Sequence, residues 1–181
     1  ELDGKGDYLV LDSSDSSFTF AATNGFTWCA WVWTDPNPSS DKGALLDLRD
    51  GPPTSNQIEV RATHALRDHP DRVQFYIEND NSGGGTGATS GFFEPNAWAH
   101  LAATVSVGGT LTLIKNGVVI PVREQDQPFP VNPNSITYQH ARMGIKGDNL
   151  DYFKGALRDV RLYARALSNT EIAANIMNAT P

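Results

Sequence analysis

The tryptophans Trp28, Trp31, Trp33 and Trp98 are the side chains with most to offer a ligand. An indole is a rigid apolar plate carrying one donor. Laid against the C–H face of a sugar ring and surrounded by planar polar groups, it makes a carbohydrate site. Tyr76, Asn79 and Asp80 add an aromatic ring and planar polar groups in the loop-rich stretch 50–91, where a rigid scaffold displays its binding residues. The chemistry of bond breaking is harder to find. Hydrolysing a glycosidic bond with retention takes an acid and a nucleophile facing one cleft, an arrangement that acids alternating along one strand would supply. No E-x-D-x-x-E or E-x-D-x-E run occurs. His64, His69, His100 and His140 show no H-E-x-x-H spacing, and Gly83-Gly84-Gly85 is a flexible loop rather than a phosphate cradle. Without an activated serine or paired acids, no catalytic residues are assigned and the chain is read as a non-enzyme.

The bulk properties set the frame for these residues. A chain of 181 residues can bury roughly 70% of its unfolded surface as a single domain, 1–181. With 21 acidic against 14 basic residues, the net charge of −7 repels a phosphate backbone and argues against nucleic acid as a partner. No apolar run approaches a membrane span. The N-terminus, Glu1-Leu2-Asp3-Gly4, has neither a basic region nor an apolar signal core, so the chain is expected to be a module attached to other domains, or a mature form. The lone Cys29 permits no internal disulfide and sits among apolar residues, as an inert core thiol would.

Short strands separated by turn residues account for most of the chain. Phe26 to Thr34 is rich in aromatic and β-branched residues and reads as a central strand covered on both faces, stopped by Asp35-Pro36-Asn37-Pro38. Gln57-Ile58-Glu59-Val60-Arg61 alternates polar with apolar, and Arg72 to Glu78 places Val73, Phe75 and Ile77 on one face. Asn79 to Gly91, broken by glycines among Asn, Asp, Ser and Thr, reads as irregular. Asn116-Gly117 is a two-residue hairpin signal, because both residues tolerate positive φ. In the closing strand, alternation puts Leu157, Asp159, Arg161 and Tyr163 on one face and Ala156, Arg158, Val160 and Leu162 on the other. Ser168-Asn169-Thr170-Glu171 then forms an S-x-x-E capping box that opens a short helix. Two stacked antiparallel sheets follow from this pattern.

The closing run Phe153-Lys154-Gly155 to Arg165-Ala166-Leu167-Ser168 resembles the F-x-G-x-I-D-E-V-R-I-Y-x-R-A-L-S segment of laminin-G-like domains in the concanavalin A-like lectin/glucanase superfamily. Asp3, Gly4, Asp7 and Tyr8 resemble that family's opening F-D-G-x-x-D-Y-V, and Phe26, Thr27, Ala30, Trp31 and Val32 its F-T-x-x-A-W-V. Trp98, His100 and Thr104 are similar to its W-x-H-x-A-x-T strand, and Leu111 to Val119 to its L-x-L-Y-x-N-G-x-x hairpin. The resemblance implies an all-β jelly-roll sandwich of two antiparallel sheets with a short C-terminal helix, the opening strand pairing with the closing one.

It also implies a role. Such a module would work outside the cell or at its surface as a non-catalytic, lectin-like recognition domain for a glycan, the alternatives being protein adhesion or a spacer. Polysaccharide cleavage, known on the same sandwich, finds little support. Gln57-Ile58-Glu59 and Tyr152-Phe153-Lys154 match alginate-lyase Q-I-H and Y-F-K-A-G-x-Y signatures only in part, with Glu59 at the histidine and the later tyrosine missing. Trp31 and Trp98 fall on the family's core positions. Trp33 stands where the family often has a polar residue, which makes it, with Tyr76, Asn79 and Asp80, the carbohydrate-binding candidate. Many relatives hold a structural calcium near their joined termini, which would fall to Asp3, Asp7 and Asp159 here, since calcium takes six to eight oxygen ligands. Arg158, however, occupies the place of the relatives' ligating aspartate. A guanidinium neutralising Asp3 or Asp7 is the competing expectation.

Overall fold

A computed structural model describes residues 1–11, 19–20, 23–36, 42–51, 56–63, 72–79, 84–89, 92–94, 96–122, 136–146 and 151–178. Two six-stranded antiparallel sheets face each other. The first has the order β1 (Leu2–Asp3), β14 (Lys154–Tyr163), β4 (Phe26–Thr34), β9 (Trp98–Val105), β10 (Leu111–Lys115), β11 (Val118–Ile120). The second runs β2 (Leu9–Leu11), β13 (His140–Met143), β5 (Lys42–Arg49), β6 (Gln57–Thr63), β7 (Arg72–Glu78), β8 (Gly84–Thr89). A small pair, β3 (Thr19–Phe20) with β12 (Ile136–Thr137), and one helix, α1 (Asn169–Asn178), complete the described elements. The expected sandwich of two antiparallel sheets is what the chain forms.

Strand alternation explains the core. Phe26, Trp28, Ala30 and Val32 of β4 meet Ile58 and Val60 of β6 and Phe75 and Ile77 of β7 in one buried cluster between the sheets. Phe26 bridges the layers, its ring 4.9 Å from Phe20 edge-on and 6.2 Å from Phe75. Phe153, fully buried, lies between two glycines from opposite sheets. A Cβ on Gly43 would fall 2.6 Å from the Phe153 Cα, and one on Gly155 would run into the Phe153 ring and the Trp33 carbonyl oxygen.

Three local expectations are corrected. Gly84 to Thr89, read as irregular, is β8, paired along Val73 to Glu78. An edge strand needs only backbone donors and acceptors facing its neighbour, and glycine supplies both. The opening segment divides between the sheets: Leu2 and Asp3 pair with Gly155 and Lys154, while Leu9 to Leu11 pair with Met143 to Ala141 in the other sheet.

The third correction concerns the closing strand. Arg158 pairs with Trp31, but the next partners are Arg161 and Cys29, so β14 spends one residue more than β4 there. Asp159 takes φ +50° in this bulge. The extra residue shifts the alternation. Leu157, Val160 and Leu162 therefore all pack on the core, and Tyr163 joins the opposite face.

That opposite face seats the helix. Cys29, Ala102 and Ile114 of the first sheet pack with Leu167 and Ile172. The Thr27 hydroxyl accepts from Leu167 N–H at 2.9 Å and donates to the Arg165 carbonyl at 2.9 Å. The capping box forms as expected: Ser168 N–H donates to Glu171 Oε2 at 2.8 Å and Glu171 N–H to Ser168 Oγ at 3.3 Å. Arg165, 2.6 Å from Glu171, and the Ser168 donors hold the Glu171 carboxyl at about 2.

Two outcomes are expected. Gly155→Ala should cost about 2 kcal/mol in chemical denaturation, because neither a carbonyl nor a packed ring can yield to the new methyl. Glu171 has a folded pKa below its usual 4.5, so its contribution to stability is present above that value and lost as pH falls through about 2. The gap in melting temperature between the native chain and Glu171→Gln should close over that interval and remain constant at neutral pH.

Candidate functional site

The face of the second sheet turned away from the core is built almost wholly of polar side chains. Cross-strand register aligns Arg142, Asp47, Glu59 and Tyr76 in one row, and His140, Arg49, Gln57 and Glu78 in the next. Arg61 and Gln74 begin a third. Residues directly opposite on neighbouring strands share a face, so strand pairing alone collects these groups.

Burial sets this face apart. Asp47 is 2% exposed, Glu59 1%, Gln57 4% and Arg49 6%, although none belongs to the core between the sheets. Charge at such depth persists only when paired and hydrogen-bonded. Arg49 Nε donates to both oxygens of Asp47, at 3.1 and 2.9 Å. Arg61 grips Glu59 with a two-pronged fork, 2.7 Å in each arm. Between the pairs, Gln57 Nε2 lies 2.9 Å from an oxygen of each carboxylate. Burial works against the charge on Arg61, but the Glu59 hydrogen bond, with Glu59, Asp151 and Asp47 as neighbouring charges, wins and raises its pKa. Tyr76, half-buried in the same row, has its hydroxyl pushed up to about 12 by burial and by its bond to Glu78.

One donor in the array is unspent. Arg49 Nη2 is buried and finds no hydrogen-bond partner, a costly condition for a cationic group. The carboxylates, by contrast, are engaged by guanidinium and amide donors. The arrangement fixes planar donors and acceptors in one row with the Tyr76 ring.

The candidates read from sequence fall in different places. Tyr76 lies within the polar array, and Asn79, half-buried, follows β7 at the same end as Glu78. Asp80 lies outside the described residues. Trp33 stands on the outer face of the first sheet, opposite Trp98 and Ala156, and is therefore separated from Tyr76 by the whole sandwich. Trp98, assigned to the core by resemblance, is 37% exposed, because β9 begins there and its ring points away from the other sheet.

The acidic trio does not converge. Asp3 Oδ1 accepts from the amides of Lys5, Gly6 and Asp7 at 2.8, 3.1 and 3.3 Å, and these bonds lower its pKa. Asp7 Oδ2 accepts from Asp3 N–H, so these two residues tie one loop. Asp159 lies about 16 Å farther along β14 from the Asp3 pairing position, at roughly 3.3 Å per residue, and is bound to Arg161 at 2.8 Å. No group of three or more His, Cys, Asp or Glu suited to a metal ion occurs among the described residues. Arg158, the competing cation, pairs in register with Trp31 rather than with the opening loop, where Lys154 is the strand partner of Asp3.

Asp47, Arg49, Gln57, Glu59 and Arg61 escaped sequence reasoning as a group. A signal was present: polar residues at i, i+2 and i+4 of β6 face acid and base at i and i+2 of β5, with signs that balance across the pair.

With this geometry in view, a laminin-G-like family model, described as the concanavalin A-like lectin/glucanases superfamily, matches residues 3–173. The chain belongs to this superfamily. No curated protein matches it. Among solved structures, this laminin-G-like domain is similar to the botulinum neurotoxin serotype D binding domain, with TM-score 0.72 and 14% identity over 98% of this chain and 41% of that one. It therefore spans about two fifths of the toxin domain's length. It is also similar to the Ruminococcus gnavus IT-sialidase CBM40 bound to alpha2,3 sialyllactose, with TM-score 0.67 and 15% identity over 96% of this chain and 94% of that one. A heptameric SAP-like pentraxin from Limulus polyphemus matches with TM-score 0.63 and 15% identity, over 95% of this chain and 78% of that one. At these identities the likeness is one of fold. No helix among the described residues is long and apolar enough to cross a membrane.

A stability test separates the role of the buried charges from that of the core. Asp47→Leu alone should cost about 3–5 kcal/mol, since it leaves the Arg49 guanidinium buried and unpaired. Asp47→Leu combined with Arg49→Met should recover most of that loss in urea denaturation. Such a result means that the pair is not there to hold the fold.

Proposed function

We propose that this laminin-G-like domain is a non-catalytic, lectin-like recognition module of a larger extracellular or cell-surface protein, holding a glycan against the polar face of the second sheet. The observation that carries this reading is the buried array Asp47, Arg49, Gln57, Glu59 and Arg61 with the unspent donor of Arg49. Sugar hydroxyls both donate and accept, and they match planar guanidinium, carboxylate and amide groups held rigid in advance. Tyr76 supplies a ring for the apolar face of a pyranose. The sialidase CBM40 with its sialyllactose and the neurotoxin binding domain support binding as the use of this fold.

Hydrolysis is less well served. Asp47 and Glu59 each sit against a guanidinium, their oxygens occupied by Arg49, Arg61 and Gln57. Protein contact has one observation in its favour, the edge strand β11, which exposes Val118 and Val119.

Retention on immobilised oligosaccharides decides between these readings. The native chain should bind at least one neutral or acidic glycan, and Arg49→Lys and Tyr76→Ala should each weaken binding about tenfold, the equivalent of one charge-assisted hydrogen bond or stacked ring. Absence of retention on every glycan, with the fold intact by circular dichroism, overturns the proposal. New reducing ends, abolished by Glu59→Gln, would replace it with an enzyme.

A further inference from the structure

The outer face of the first sheet divides into two halves. Helix α1 and the segment that leads into it cover the rows of Thr27 and Cys29. The next two rows, Arg158–Trp31–His100 and Ala156–Trp33–Trp98, have no described element packed over them. At the far end the strands close on the Asp35–Lys154 ion pair, 3.2 Å, and on Asn96, whose amide donates to the Thr34 carbonyl.

Trp33 and Trp98 are direct cross-strand partners, with Cβ atoms about 5 Å apart by strand geometry. Trp33 is half-buried and Trp98 is 37% exposed, so the pair forms a short aromatic shelf. One row along, Trp31 packs edge-on against His100, with ring centres 5.5 Å apart. Neither Trp31 Nε1 nor His100 Nδ1 has a hydrogen-bond partner, and both residues are more than nine-tenths buried. Arg158, in the same row, is exposed and makes no ion pair with a described residue.

From these observations we propose a second ligand site, Trp33, Trp98, Trp31, His100 and Arg158, that takes an acidic saccharide. The shelf receives the C–H face of a sugar ring and Arg158 the anionic substituent, over the buried Trp31–His100 pair. Size favours a small ligand. Two rows of side chains bounded by the helix and by the strand ends fall well short of the roughly 800 Å² that a stable protein partner covers on each side. The exposed Arg158, which makes no ion pair with a described residue, favours an anionic substituent locally, against the general repulsion of a domain of net charge −7. A guanidinium pairs equally well with a carboxylate or a sulfate.

Tryptophan fluorescence and calorimetry on the whole chain can test this with three probes: an oligogalacturonate for the carboxylate, a chondroitin sulfate oligosaccharide for the sulfate, and an acidic peptide of equal charge. Binding of either saccharide, weakened about tenfold by Trp98→Ala or Arg158→Gln and by added salt, but unchanged by Tyr76→Ala, supports the site and identifies the anion. Arg158 is exposed, so the melting temperature of Arg158→Gln should stay near that of the native chain. The proposal is overturned if neither saccharide binds, if binding is indifferent to both substitutions, or if the peptide binds as tightly as the sugars. Loss of saccharide binding through Tyr76→Ala alone would assign it to the polar face instead. The two sites therefore fail independently.

Discussion

The bulge at Asp159 is the constraint on which most of the first sheet depends. A ten-residue strand, β14, pairs with the central strand β4 along nearly its full length, and without interruption alternation would send Leu157 and Val160 to opposite faces. The residue inserted at Asp159 brings Leu157, Val160 and Leu162 to the core and turns Arg161 and Tyr163 outward. Positive φ at Asp159 suits an aspartate better than a branched residue, since its short side chain tolerates the left-handed region. The carboxylate then answers Arg161, and Arg161 Nη1 donates to Asn175 of the helix at 2.8 Å. One irregularity sets the packing of a strand and the docking of α1 together.

The same irregularity determines what the outer face can offer. Beyond the bulge, toward Tyr163, α1 covers the sheet and packs on Cys29, Ala102 and Ile114. Burial raises the Cys29 thiol to about 11, so it is held as a neutral packing group. Before the bulge, Arg158 and the tryptophans stand in rows with no helix above them. His100 lies near the boundary. Its backbone is held by Asn116, and burial lowers its imidazole to about 4, leaving the ring neutral against Trp31. Burial decides this, outweighing the attraction of the nearby Asp159 carboxylate for a charged ring.

Much of the architecture was legible because it rests on local rules. Alternation in Arg72–Glu78, the Asn116-Gly117 hairpin with φ of +50° and +82°, and the S-x-x-E cap each express a preference that neighbouring residues enforce. Tertiary context explains what was missed. Gly84–Thr89 has no side-chain pattern to read and exists as a strand because β7 offers it an open edge. The bulge leaves no mark on alternation until its partner strand is known. Tyr76 was found because an aromatic ring near loops is conspicuous, whereas Asp47 and Glu59 looked like the solvated side of ordinary half-buried strands. Their depth depends on long-range assembly, which a run of alternating residues cannot report.

That depth is also what distinguishes the polar face physically. Carboxylates on a solvated sheet surface gain little from a neighbouring arginine, because water screens the attraction. At 1–2% exposure the screening is lost, the desolvation cost rises, and pairing becomes obligatory rather than helpful. A sandwich that needed only stability could fill these positions with apolar residues at no loss. Three charge-bearing strands lie side by side, with Gln57 between the two carboxylates and Arg49 Nη2 left without a hydrogen-bond partner. The unmet hydrogen bonding of the array therefore rests on a single guanidinium nitrogen and not on the number of polar groups it contains.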